Sequence, residues 1–260
     1  MPTTIAHAVA LLNQAAPLHL AEDWDNVGLL LGDPGERLRG ILVCLTLTAD
    51  VAEEAIARGD NLIVTHHPLP FRPLDRITTE THTGTLLWKL ARAGVAIYSA
   101  HTAFDSASNG ANDHLASALG LTDVAVLDPA ATSSAGGTGR IGCAAATLGE
   151  LAERARVSLR ATSVRATESA ARPAGRVAVA CGSGGSLLEM ALAVGCDTLV
   201  TGEASFHDCL KAQSAGVAVL LIGHFASERS SLDGLAERLA AEIGVPVTAS
   251  QIERDPLQPV

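Results

Sequence analysis

Apolar positions along this chain recur with two periods, and the places where one period gives way to the other predict its elements. Residues 4–15 carry apolar side chains at helical spacing and stop ahead of Pro17, which predicts a first helix. The polar pair Asp25 and Asn26 then makes a turn, and the apolar run 28–32 reads as a strand. From Ile41 onward strand and helix alternate, with a β-rich run at 41–48, a short helix at 50–58, and the strand Leu62, Ile63, Val64 between Gly59 and Pro68. Three consecutive apolar residues, two of them β-branched, describe a strand buried on both faces, which stops where proline can no longer donate to a ladder. Residues 83–93 form a helix with Leu86, Leu87, Leu90 and Ala91 on one stripe and Gly94 as its stop. A strand at 95–100 and a helix at 111–119, closed by Gly120, follow.

Residues 128–139 break the pattern with small, polar and glycine-rich composition, and read as a linker. Beyond them come a strand at 140–146, a helix at 148–157, and strands at 177–180, 197–200 and 217–222. A last helix carries Leu232, Leu235, Leu239 and Ala240 on its core stripe. This alternation implies right-handed βαβ units and an α/β fold of two domains with mostly parallel sheets. The expected division is 1–128 with 228–260 for the first domain and 129–227 for the second.

Composition narrows the function classes. At 260 residues, 48% hydrophobic and 18% charged, the chain can bury a large core. A net charge of −10 and an aromatic content of 3% argue against a nucleic-acid binder, which would want a basic track and stacking rings. No signal core or membrane-length apolar run is present, so no membrane partner is expected and the cytoplasm is the expected compartment. The five cysteines are scattered without a C-x-x-C pair, which indicates neither a disulfide framework nor a zinc knuckle, and reads as small buried hydrophobes.

The chemistry sits at strand exits. His66 and His67 leave one strand, His101 and Asp105 the next, and His224 and Glu228 the last. In parallel α/β sheets those carboxyl ends are where ligands bind. Adjacent histidines alone fit a surface loop equally well; on an extended chain their imidazoles diverge, which suits two ions better than one. A set of imidazoles and carboxylates without thiolate suits zinc, manganese, iron or nickel. Glu228 could bridge two ions about 3.5–4 Å apart. If a helix follows the strand at 197–200, Glu203 and His207 share one of its faces. Trp24 reads as a core anchor with Asp25 and Asn26 capping the turn. The glycine-rich turn 182–186 matches no phosphate fingerprint and reads as a plain tight turn, although it, Arg72 and Lys89 remain candidates for holding a triphosphate.

Six phrases, WDNVGLLLG, VTHHPLPF, SAHTAFDSASNGANDHLASALG, VAVACGSGGSLLEMA, DTLVTGEASFHD and GHFASE, together resemble in order and spacing the NGG-interacting-factor-like family. Its bacterial members are often labelled GTP cyclohydrolase 1 type 2 homologues. The resemblance covers nearly the whole chain. It implies two divalent metal ions in a cleft between two α/β domains and a ring-shaped homohexamer. Carried over by position, His66, His67, Asp105, His224 and Glu228 match the family's metal ligands, and His101 a histidine beside the metals. Ala103 and Ala111 depart from the family's frequent asparagine and valine without touching a ligand, and the additional middle domain of some relatives is lacking. The function expected is that of a dinuclear metal-dependent hydrolase on a small anionic substrate such as a nucleotide, with His101 or His207 moving protons. The alternative is a metal-binding or metal-delivery protein that acts through partners without turnover.

Overall fold

Thr4 is followed by Ile5, Ala8 and Leu12 on one helical face. In the computed structural model, which describes residues 2–128 and 136–258, that face is buried in helix α1 (Ile5–Ala15). The chain continues through β1 (Gly28–Leu31), β2 (Ile41–Cys44), α2 (Ala49–Arg58), β3 (Leu62–Thr65), α3 (His82–Ala93), β4 (Ala96–Ser99) and α4 (His101–Ser106). Then come α5 (Ala111–Ala118), β5 (Thr122–Val126), β6 (Arg140–Thr147), α6 (Leu148–Leu159), β7 (Arg165–Ala166), β8 (Pro173–Ala180) and α7 (Leu188–Ala193). The last elements are β9 (Thr198–Thr201), α8 (Phe206–Ser214), β10 (Ala218–Leu221), α9 (His224–Arg229), α10 (Ser231–Ile243) and β11 (Val247–Ala249). No helix among the described residues is long and apolar enough to cross a membrane.

Two compact units result, Met1–Phe104 with Leu232–Arg254 and Asp105–Ser231 with Asp255–Val260. The first unit holds the sheet β1-β4-β3-β2-β11, parallel except for β1. All four residues of β3 are buried, as a doubly covered strand requires. Thr48 caps α2 by accepting the Val51 N–H, and Gly59 ends that helix in the left-handed conformation (φ 79°), where a side chain would be strained.

The second unit holds the sheet β5-β6-β8-β9-β10-β7, in which β8, β9 and β10 are parallel and the outer pairings antiparallel. It is therefore less parallel than the alternation of strand and helix suggests. Strand β5 escapes the hydrophobic pattern because its first four residues are exposed and its ladder with β6 is irregular; β7 has only two residues. The boundary expected at residue 128 moves to 104. Strand β5 pairs with β6, and Leu115 and Ala116 of α5, with Leu119 just after it, share a core with Leu148, Leu151 and Val177. The return to the first unit likewise falls at 232 rather than 228, since α9 remains with the second. Of the expected linker, residues 129–135 lie outside the described residues.

One buried side chain ties the second unit together. The Arg140 guanidinium, 3% exposed, donates to the carbonyls of Ser106, Ala107, Gly137 and Gly139 and pairs with Asp113. Arg140→Met keeps the volume but strips those acceptors of their donor. It should destabilise the protein by about 3 kcal/mol, read as a lower urea midpoint with an unchanged slope.

Candidate metal centre

In the first unit the donors stand where strands run out. Strand β3 ends at Thr65, and the next two backbone N–H groups still find β2-side acceptors, His66 on the Cys44 carbonyl and His67 on that of Leu45, both at 2.9 Å. Hydroxyls fix their carbonyls in turn, Ser99 donating to His66 at 2.7 Å and Thr65 to His67 at 3.0 Å. His66 is buried and His67 half-buried. His101 opens α4 just past β4 with φ 27°, a left-handed conformation that favours glycine and here marks a held side chain.

Asp25 does the holding. Its carboxylate accepts the Asn26 N–H at 2.8 Å, the His101 Nδ1–H at 2.7 Å, the Thr102 N–H at 3.1 Å and the Thr102 hydroxyl. Its side chain is 0% exposed. Burial by itself would raise the Asp25 pKa, but the bonds from His101 and Thr102 and the charge of His101 outweigh it and hold the group at about 2. An ionised carboxylate can only accept, so Nδ1 of His101 donates to Asp25 and Nε2 is the ring nitrogen left to meet an ion or a substrate. The expected role of Asp25 as a plain turn cap is corrected: it also orients a histidine 76 residues away. Trp24, expected in the core, is 61% exposed.

His66, His67 and His101 each offer a ring nitrogen, and the three atoms lie within 4.8 Å of one another. The His66 and His67 rings stand 5.2 Å apart, His66 and His101 5.3 Å, His67 and His101 5.7 Å. The expected divergence of the adjacent imidazoles does not occur, because strand alternation ends at Thr65 and both residues lie on a bend. Imidazole nitrogens at that spacing are of the type that suits a borderline divalent ion.

The second unit gathers carboxylates. Helix α9 begins at His224 directly after β10, so His224 and Glu228 share a face and His224 Nε2 lies 3.1 Å from Glu228 Oε2. Glu228 is buried, and Glu203 Oε2 meets His224 Nδ1 at 3.3 Å. The bond to Glu228 is the main reason the His224 pKa rises to about 9; desolvation opposes it and Glu203 adds to it. Asp105 Oδ1 accepts from the Cys181 thiol at 3.1 Å. Burial first, then the Asp105 and Glu228 carboxylates, push that thiol well above its usual range. Asn112 ties the pair together, donating to the Asp105 carbonyl at 3.0 Å and accepting the Cys181 N–H at 2.8 Å.

Other sequence candidates settle elsewhere. Helix α8 starts only after its cap Ser205, so Glu203 lies in the turn leaving β9 and does not share a helix face with His207. His207 is exposed on the first turn of α8, its ring 5.7 Å from Phe206. Lys89 pairs with Glu53 across α2 and α3. In the glycine-rich turn, the Gly182 N–H bonds Ser227 Oγ and the Gly184 N–H bonds Thr201 Oγ1, both at 2.9 Å, so these donors face inward rather than toward a phosphate. A Cβ on Gly182 would come within 2.2 Å of Glu228 Oε1, and φ there is 60°; the glycine makes room for the carboxylate. Asp25, Cys181 and Asn112 were not legible as site residues, since a turn aspartate, a scattered cysteine and a helix asparagine carry no spacing signal.

Two α/β units with histidine and glutamate groups able to hold a metal ion define the class of protein. Residues 3–256 match the family model described as Duf34/NIF3 (NGG1p interacting factor 3). The chain is 33% identical over 255 residues to a Clostridium acetobutylicum protein named GTP cyclohydrolase 1 type 2 homolog, with 95% of each covered. It is 38% identical over 258 residues to a Schizosaccharomyces pombe protein named Protein NIF3 homolog, with 92% of this chain and 91% of that one covered. The crystal structure of a Bacillus cereus protein related to NIF3 superposes with a TM-score of 0.89 at 25% identity, over 98% of this chain and 99% of that one. The chain belongs to the Duf34/NIF3 family.

The His224 pair predicts a pH dependence. A histidine raised from 6.5 to about 9 contributes stability that is fully present below about 6.5 and lost as pH rises through 9. In metal-stripped protein, the urea midpoint of wild type should therefore exceed that of His224→Gln at pH 6 and converge with it near pH 10.

Proposed function

We propose that this chain is a dinuclear metal-dependent hydrolase acting on a small anionic substrate such as a nucleotide. Its metal ligands in this reading are His66 and His67 from the first unit and Asp105, His224 and Glu228 from the second. The observation that carries it is that ring nitrogens of His66 and His67 lie within 4.8 Å of one another at the carboxyl end of a parallel strand, with a ring nitrogen of His101 as near to both and placed to carry a proton beside them. The name GTP cyclohydrolase 1 type 2 homolog, borne by relatives, supports a nucleotide as substrate. When bound, divalent ions supply Lewis acidity and a nucleophilic water at neutral pH. His101 accepts and returns the proton at Nε2, because Asp25 holds Nδ1 as a donor. His207 is the alternative proton carrier. The second reading is a metal-binding or metal-delivery protein working through partners, and the family description, NGG1p interacting factor 3, supports it. Scattered cysteines suit a reducing compartment, and the proposed place of action is the cytoplasm.

Elemental analysis of protein purified without added metal, followed by a metal-replete screen of nucleotides and phosphodiesters, tests the reading. His66→Ala and His67→Ala should each lower metal content without unfolding the chain, and Glu228→Gln should lower it further if that carboxylate bridges two ions. His101→Ala should keep the metals and lose about 10²- to 10⁴-fold in turnover. Metal loss in that variant would make His101 a ligand, and absence of turnover in replete wild type would favour the second reading. The proposed assembly is a homohexamer, for which light scattering should give about six chains and a monodisperse monomer would contradict it.

A further inference from the structure

In a chain with 3% aromatic residues, an exposed aromatic pair is a feature to account for. Trp24 is 61% exposed and Phe71 47% exposed. Their rings lie 6.0 Å apart at 45°, and both stand edge-on to His101, at 6.0 Å and 78° for Trp24 and 6.2 Å and 75° for Phe71. Trp88 and Phe206 are exposed too, but Trp88 sits on α3 and Phe206 stands against His207 on the first turn of α8. Exposure beside the histidine cluster is what sets Trp24 and Phe71 apart.

The pair is also held in place. Asp25, the residue after Trp24, is anchored by His101 and Thr102, and Asn26 Nδ2 donates to the Pro70 carbonyl at 2.7 Å, next to Phe71. Two segments of sequence are thereby pinned together, and each presents a ring to water. Arg72 and Arg76, exposed on the same loop as Phe71, bring positive charge to a chain of net charge −10. Rigid aromatic faces beside cationic side chains and imidazole donors match a ligand with a flat, apolar ring at one end and negative charge at the other.

We infer that Trp24 and Phe71 form a stacking platform for a planar heteroaromatic ring, such as a purine, carried by an anionic ligand whose charged end faces the histidines. The inference takes its anionic end from the proposed function and its ring from the aromatic pair. Stacking on one aromatic side chain changes affinity by about 5- to 100-fold and tolerates different bases, so the platform selects for a ring and not for one base.

The test uses the full-length, metal-loaded protein with Trp88→Phe, which leaves Trp24 as the sole tryptophan. Guanosine monophosphate and adenosine monophosphate should both quench Trp24 emission, and ribose 5-phosphate, which lacks a ring to stack, should not. By calorimetry, Trp24→Leu and Phe71→Ala should each weaken both nucleotides by about 5- to 100-fold and leave ribose 5-phosphate unchanged, while Trp24→Phe recovers most of the affinity. Unaltered nucleotide affinity in Trp24→Leu and Phe71→Ala overturns the inference. So does a smaller assembly of Trp24→Leu by light scattering with nucleotide affinity intact, which makes the pair a contact between copies. Nucleotides that bind through the platform and are never turned over sustain the platform and sink the hydrolase. Hydrolysis of a ringless phosphodiester with no nucleotide binding does the reverse.

Discussion

A parallel sheet runs out of partners at its carboxyl edge, and every buried peptide group beyond that edge needs a hydrogen bond from somewhere else. Both units meet this constraint with buried hydroxyls, three on the strands' last residues and one, Ser227, on α9. Ser99 and Thr65 secure the carbonyls of His66 and His67. Thr201 takes the Gly184 N–H and Ser227 the Gly182 N–H, and Ser227 also donates to the His224 carbonyl at 2.7 Å. The turns that carry the donors are therefore as fixed as the strands before them. Donor geometry is inherited from the sheet, which is the support that a binding site on loops ordinarily lacks.

The two units treat negative charge differently. In the first, the Asp25 carboxylate is surrounded by protein donors and stays ionised, so its charge is absorbed in orienting His101. In the second, burial and then the Asp105 and Glu228 carboxylates keep the proton on the Cys181 thiol, while Glu228 and Glu203 favour a proton on His224. The carboxylates that raise the His224 pKa would also favour a cation placed beside them. Gly182 belongs to the same arrangement, since only a residue without Cβ lets the chain pass so close to Glu228.

What could be read before folding follows from which signals are local. Helices with caps and stops, such as α2 with Thr48 and Gly59 or α3 with Gly94, announce themselves, and so do strands with buried β-branched runs such as β3. His66, His67 and His224 draw attention in sequence because they come just after apolar strands, and Glu228 because it lies four residues on from His224. The reading failed where burial is irregular, as in β5, or where partners come from distant sequence. Asp25 meets His101, Cys181 meets Asp105, and Arg140 meets the carbonyls after Asp105, through tertiary pairings that leave no periodic trace. Glu203 falls outside α8 because Ser205 begins it, and that start has a local signal, Asp208 three residues on as the capping-box partner of Ser205.

The first unit is closed by its final segment. Strand β11 adds to the open side of β2, pairing Val247 with Ile41 and Ala249 with Val43, and Glu253 then takes the N–H groups of Leu45 and Thr46. Leu45 and Glu253 are 208 residues apart. A nascent chain leaving the ribosome thus has most of the second unit complete while Ile41, Leu42, Val43 and Cys44, all apolar, still offer an unpaired edge. Such an edge is a template for a strand from another molecule, and it stays open until β11 has been made and has paired with β2.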